Sequence, residues 1–327
     1  MLQIEGIPNY RKLDKHLWAD YAEFKCMLSK DKEYTGADLA DNLFTAIKDL
    51  NVEFDSFNDE QNIIDVPLLK DNEELFINDI FSVINYRSAA YASSYPFYVE
   101  NKKIKQKKIL NQLHRLYLYL LLCSHLRFIP QTNWAVLTGD FEYISSLALK
   151  KCLPERAIIK IFGTTKSGGP PQYVGTTFNK IKQLAADLNE VLLANKDDFA
   201  PTASKDKGID LVAWIPFKDK QNSRLICFGQ CKCSDQWPAM RFSSSLAQWN
   251  NWIHFNNHLN NFAFIPYCYR KTGGSWFDKS SIGDTIVVDR QRIIELIESL
   301  GKTFKFSSLS SDKFLSQLLD TSKSATV

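Results

Sequence analysis

The chain has little of several things that would assign it quickly. Its formal net charge is only +3 over 327 residues, too small an excess to mark a polyanion partner, so any nucleic-acid surface must be sought as a local patch. Long apolar runs are missing. The most apolar helical stretch, Leu116 to Cys123, is far shorter than the roughly 20 residues of a bilayer span, and His114, Arg115, His125 and Arg127 flank it. A core helix and no membrane partner are expected. Paired cysteines are absent as well: seven cysteines, an odd number scattered at 26, 123, 152, 227, 231, 233 and 268, match no disulfide framework of a small secreted domain. The opening MLQIEGIPNYRK lacks the basic segment, apolar core and small-residue cleavage site of a signal peptide. These absences predict a cytoplasmic protein with reduced thiols.

What is present is an ordinary globular composition, 45% apolar and 24% charged, which argues against wholesale disorder. The length exceeds the roughly 100 to 200 residues of one domain. Residues 1–150 read as a mainly helical unit, 151–306 as an α/β unit and 307–327 as a Ser-rich tail with one short amphipathic segment and loose last residues.

In the first unit, Leu39, Leu43, Ile47 and Leu50 recur at three- and four-residue spacing, predicting an amphipathic helix over 35–51. A second helix is expected over 74–85 and a third, the strongest, over 108–126. Just before the third, NKKIKQKKIL concentrates Lys102, Lys103, Lys105, Lys107 and Lys108. Two readings stand: the solvated start of that helix, or a patch that contacts phosphates.

After a strand over 157–162, GTTKSGGPPQYVGTT is too rich in Gly, Pro and Thr for a regular element. It lacks the P-loop spacing, and Pro170 and Pro171 remove two amide donors that a phosphate cradle would use. A structural or substrate-flanking loop is expected instead. A helix starting at Thr177 carries Phe178, Ile181, Leu184, Leu188 and Leu192 on one face. Strands are predicted over 208–215 and 224–233, joined as a hairpin by the polar PFKDKQNS. A helix over 244–256, strands over 262–268 and 285–288, and a helix over 290–300 complete an α/β pattern.

The hairpin carries the chemistry. Residues two apart on a strand share a face, so Gln230 and Lys232 project together, opposite Cys227, Gly229, Cys231 and Cys233. Asp210, at the start of the partner strand, can then meet both. Oxygen donors of this kind suit Mg²⁺, which takes one or two protein oxygens and keeps several waters. Asp210 and Gln230 are the expected metal ligands, and Lys232 the cation that orients or deprotonates a water and stabilises an anionic transition state.

KGIDLVAW followed by CFGQCKC resembles the Asp … Gln-x-Lys motif of the PD-(D/E)xK nuclease superfamily, in the branch of the Mrr-like restriction endonucleases, where Gln commonly replaces the second acid. The resemblance covers about residues 158–300. It implies a restriction-endonuclease-like core, a central mixed β-sheet flanked by helices, and Mg²⁺-dependent cleavage of DNA, with Mn²⁺ able to substitute. It also implies a frequent role in restriction or phage defence. Family members usually carry a Glu in the helix preceding the Asp strand, often right after an aromatic residue. Here Asn179 follows Phe178, so the role passes to Glu190, with Asp187 the other acid of that helix.

The expected function is therefore a metal-dependent DNA endonuclease, the effector of a restriction or antiphage system, held in check by a protein partner through the N-terminal helices. The alternative is a catalytically inactive nuclease-fold subunit of a larger defence complex. Three other constellations weigh less. Cys227, Cys231, Cys233 and Cys268 lack the CxxC turns of structural zinc sites. His254 and His258 share a helix spacing but have Phe255 where a zinc peptidase needs Glu. Trp237, Trp249, Trp252 and Trp276 read mainly as core, with base stacking as the other use; Arg241, Lys271 and Lys279 beside them could meet phosphates.

Overall fold

In the computed structural model, residues 14–43, 73–163, 167–203, 207–219 and 221–324 are described. Helix α1, Lys15–Leu28, is buried along nearly its whole length. Residues 36–43 are helical; the remainder of the helix expected over 35–51 lies outside the described residues, as do the N-terminal residues searched for a signal peptide and the tail's last residues. Helix α2, Glu73–Tyr91, outruns the 74–85 expectation. Helix α3, Gln112–Ser124, starts later than predicted because Asn111 caps it: the Asn111 side chain accepts from His114 N while His114 Nδ1 accepts from Asn111 N, a reciprocal arrangement that satisfies two end donors. Helix α4, Trp134–Cys152, follows.

The lysine-rich segment is no helix start. Strands β1, Glu33–Thr35, β2, Phe97–Glu100, and β3, Lys103–Gln106, form an antiparallel sheet in the order β1-β3-β2. Lys103 and Lys105 alternate with buried Ile104 and Gln106, the two-residue period of a half-buried strand rather than a helix. Glu33 of β1 meets both lysines, and Lys102 lies 3.6 Å from Glu74, so much of this patch is answered internally.

The second sheet has the order β10-β9-β7-β6-β4, with β4 Ile158–Ile161, β6 Leu211–Trp214, β7 Ile226–Cys231, β9 Leu259–Phe264 and β10 Thr285–Val288. The first three pair antiparallel, and β7–β9 and β9–β10 pair parallel. This central mixed sheet is flanked by helices. On one face Leu211, Ala213, Cys227, Phe262 and Phe264 join a core that also contains α1 to α4 and α6, Arg290–Glu298. On the other, Val212, Trp214, Ile226 and Phe228 pack with α5, Thr177–Leu188, and with Trp249, Ile253 and Phe255. Between α5 and β6 lies β5, Val191–Leu192, paired with β8, Ile253–His254. Helix α7, Ser311–Ser324, closes the described chain.

The region expected as a helix over 244–256 instead holds a one-turn helix, Leu246–Trp249, a turn and β8. Asn250 Oδ1 accepts from Phe255 N and Asn251 Nδ2 donates to Gln248 O, the competition by short amide side chains that ends helices. His254 and His258 therefore share no helix face. No described helix is long and apolar enough to cross a membrane.

The core does not divide at residue 150. Asp20 and Glu23 of α1, Arg87 of α2 and Arg290 of α6 are fully buried together. Arg290 grips Asp20 with two hydrogen bonds, 3.1 and 2.8 Å, Arg87 lies 2.7 Å from Asp20, and the Tyr95 and Tyr117 hydroxyls donate to Glu23. His16 and His125 lie beside this cluster, and burial pushes them down to about 3 and about 4 respectively. The unfolded chain takes up protons near the ordinary histidine value and the folded chain only well below it. Stability is thus present above that ordinary value and lost as pH falls toward the depressed ones. Between about pH 7 and pH 5 each histidine is expected to cost about 2 kcal/mol. Urea midpoints at the two pH values check this, and equal midpoints would contradict neutral burial of the pair.

Candidate active site

Asp210 enters β6 from a turn that needs glycine. Gly208 has φ +88, a conformation that side-chain-bearing residues rarely adopt, and a Cβ there would collide with Ser243 Oγ. In the β6–β7 register Leu211 faces Gly229, and one further step sets Asp210 opposite Gln230. Asp210 N donates to Gly229 O at 2.9 Å, and Phe162 N and Gly163 N donate to Asp210 O at 2.7 and 3.3 Å. The backbone of Asp210 is thereby held from both neighbouring strands. The residue is buried, its Oδ2 accepts from Cys231 N at 2.6 Å, and Lys232 Nζ lies 4.0 Å from the same oxygen. The three residues singled out in the sequence thus lie together where two paired strands adjoin, Gln230 within β7 and Asp210 and Lys232 one residue beyond the strand ends.

Gln230 is the most informative of them. It is 1% exposed, and its Nε2 donates to Arg241 O at 3.1 Å and Ser244 Oγ at 2.7 Å. A main-chain carbonyl only accepts, so the amide nitrogen must face Arg241 and the orientation is fixed. Its Oε1 is then buried without a hydrogen-bond partner among the described residues. A buried acceptor left unmade costs about 1 to 3 kcal/mol, which a cation or its water would relieve.

A second carboxylate arrives from a helix not foreseen. Glu142 of α4 reaches toward Gly163: a Cβ on Gly163 would stand 2.6 Å from Glu142 Oε2. Gly163 is itself bonded to Asp210 through its amide. Burial, then the charges of Asp210 and Glu142, push the Cys231 thiol well above its ordinary value, so both carboxylates flank Cys231. The available signal was Phe141–Glu142 in DFEYISSLALKK, an acid right after an aromatic residue, in the helix before β4.

Glu190 is placed elsewhere. Helix α5 ends at Leu188 with Asn189 in the left-handed conformation at its C-cap, so Glu190 lies beyond the helix, next to β5. Its carboxylate accepts from Asn256 Nδ2 at 2.9 Å. Asp187 is on α5 but accepts from Tyr173 Oη at 2.8 Å and pairs with Lys160 at 2.6 Å. Sequence order pointed to α5, whereas the carboxylate that reaches Gly163, whose amide bonds Asp210 O, comes from α4.

Among the described residues no group of three or more His, Cys, Asp or Glu side chains is arranged to hold a metal ion. The Asp210 and Glu142 carboxylates both act on Cys231, and Gln230 and Lys232 are its two chain neighbours, with the Lys232 ammonium 4.0 Å from Asp210 Oδ2. These groups fit a hard cation that keeps most of its waters, and the orphaned Gln230 Oε1 is the observation in its favour. Burial raises the Cys227 thiol to about 12, and the hydrogen bond with Cys123, then burial, holds Cys233 well above the ordinary thiol value. Trp237 and Trp249 are core. Trp276 is stacked by Arg270 and Arg292, at 4.1 and 4.7 Å. No family model, no curated protein and no solved structure matches the chain.

Proposed function

We propose that the chain is a metal-dependent endonuclease that hydrolyses phosphodiester bonds of DNA. The single observation that carries this reading is Gln230 Oε1, buried without a hydrogen-bond partner among the described residues, at the strand position facing Asp210 and two residues from Lys232. Asp210, Gln230 and Glu142 would hold Mg²⁺, or Mn²⁺ in its place, and the ion would supply a bound water of lowered pKa and charge to offset that on phosphate. Lys232, 4.0 Å from Asp210, would orient the attacking water and stabilise negative charge developing on the phosphoryl oxygens. Cys231 N fixes the Asp210 carboxylate, and Ser244 with Arg241 O fixes the Gln230 amide, so the donors are preorganised by neighbours that take no part in the chemistry.

A role as effector of a restriction or antiphage system, with a protein partner on the N-terminal helices, rests on the resemblance of the Gly208–Asp210 and Gln230–Lys232 segments. The second reading is a nuclease-fold subunit without activity, in line with the finding that among the described residues no three His, Cys, Asp or Glu side chains are grouped to hold a metal ion.

Incubating supercoiled plasmid with the chain and Mg²⁺ or Mn²⁺ separates the two. Cleavage that chelator removes, and that Lys232→Ala lowers about 100-fold or more, is the expected result. Cleavage indifferent to Lys232→Ala would sink the proposed site, and no metal-stimulated cleavage at all would favour the inactive subunit.

A further inference from the structure

Helix α4 does more than deliver Glu142. Its C-terminal half forms one wall of an open groove of about 660 Å³, lined by Tyr143, Lys150, Lys151, Phe304 and Lys305, with Glu155 the one carboxylate of the lining. A smaller hollow of about 110 Å³, under the Gly168–Pro171 loop, shares the Tyr143 ring with it. The two hollows therefore share as lining the residue next to Glu142. Lys150, Lys151 and Lys305 are all exposed, and among the described residues no ion pair engages them. This contrasts with the lysine-rich hairpin, where Glu33 and Glu74 answer Lys102, Lys103 and Lys105.

We propose that this groove binds the phosphodiester backbone of the DNA strand that passes the Asp210 site, an inference that rests on the endonuclease reading. Three ammonium groups against one carboxylate leave the groove cationic, and lysines without an internal partner are those from which a polyanion can displace counterions at no cost in broken pairs. The spacing agrees: Glu142 and Lys150 are separated along the helix by about 12 Å at 1.5 Å per residue, or three to four steps at about 3.4 Å along one strand of a duplex. The groove would thus hold phosphates flanking the scissile one and fix the strand's direction across the site. Such contacts position the polymer without reading its bases.

The test is fluorescence anisotropy of a labelled DNA duplex of about 20 base pairs with the full chain, in chelator, over about 50 to 200 mM salt. The K150A/K151A/K305A variant is expected to bind at least about tenfold more weakly at the low end, with a salt slope smaller by about two to three. A charge-matched control, K102A/K107A/K108A on the hairpin side, is expected to stay within about twofold of the parent. Parent-like binding by the groove variant, an equal loss in the control, or no salt-dependent binding by the parent would each overturn the inference. Because binding is read without metal, the two claims fail separately. A chain that binds through these lysines yet never cleaves loses the endonuclease reading and keeps the groove. One whose cleavage depends on Lys232 but whose binding ignores the three lysines keeps the reading and loses the groove.

Discussion

Asp210→Asn is expected to lower metal-stimulated plasmid cleavage by about three orders of magnitude while leaving the fold in place, since loss of one preorganised charge contact in such a site costs about 100- to 1,000-fold. The fold should survive because an Asn oxygen can still accept from Cys231 N, which now donates to Asp210 at 2.6 Å. Glu142→Gln extends the prediction to the residue that sequence order concealed. Its carboxylate is expected to matter by about 100-fold, whereas Glu190→Gln, at a position bonded to Asn256 beyond α5, is expected to change cleavage less than about twofold. Initial rates on one plasmid preparation, with circular dichroism to verify folding, decide the matter. The opposite order of effects would return the helix acid to Glu190 and remove α4 from the site.

Arg290→Ala is expected to destabilise the protein by about 3 to 5 kcal/mol, the range for removing one partner from a buried ion pair. Burial opposes ionisation of Asp20, yet Arg290 and Arg87 hold it below its ordinary value. Without Arg290, two fully buried acids would share Arg87 alone, and the loss is a large part of the about 5 to 15 kcal/mol by which domains are stable. Urea denaturation near neutral pH measures it. A change below about 1 kcal/mol would mean that water reaches the cluster and that the pairing resembles an exposed one.

Much of the architecture could be read from periodicity because the elements concerned bury one consistent face. Helix α5 shows Ile181, Leu184 and Leu188 in the core, and β6 and β7 alternate between the two cores as their side chains alternate. Asp210, Gln230 and Lys232 were legible for the same reason: strand parity and a hairpin suffice to bring them together. Glu142 was not, because β4 pairs with β6 across an intervening α5, so nearness in sequence misled about nearness in space. The segment after β7 was illegible on other grounds. Its one-turn helices exist because Trp237 and Trp249 are buried, a tertiary demand with no local period. The lysine segment misled since a Lys-Ile-Lys-Gln alternation is too short to separate a strand from the start of a helix.

The buried Arg290–Asp20 contact, together with the shared core, bears on how such a chain could change over generations. A recombination event that replaced the first 150 residues would strand Arg290 in an apolar interior and bare Leu211, Ala213 and Phe262 of the sheet. Inheritance would then favour passing both halves on together, with substitutions at Asp20, Glu23, Arg87 and Arg290 tolerated only in compensating sets.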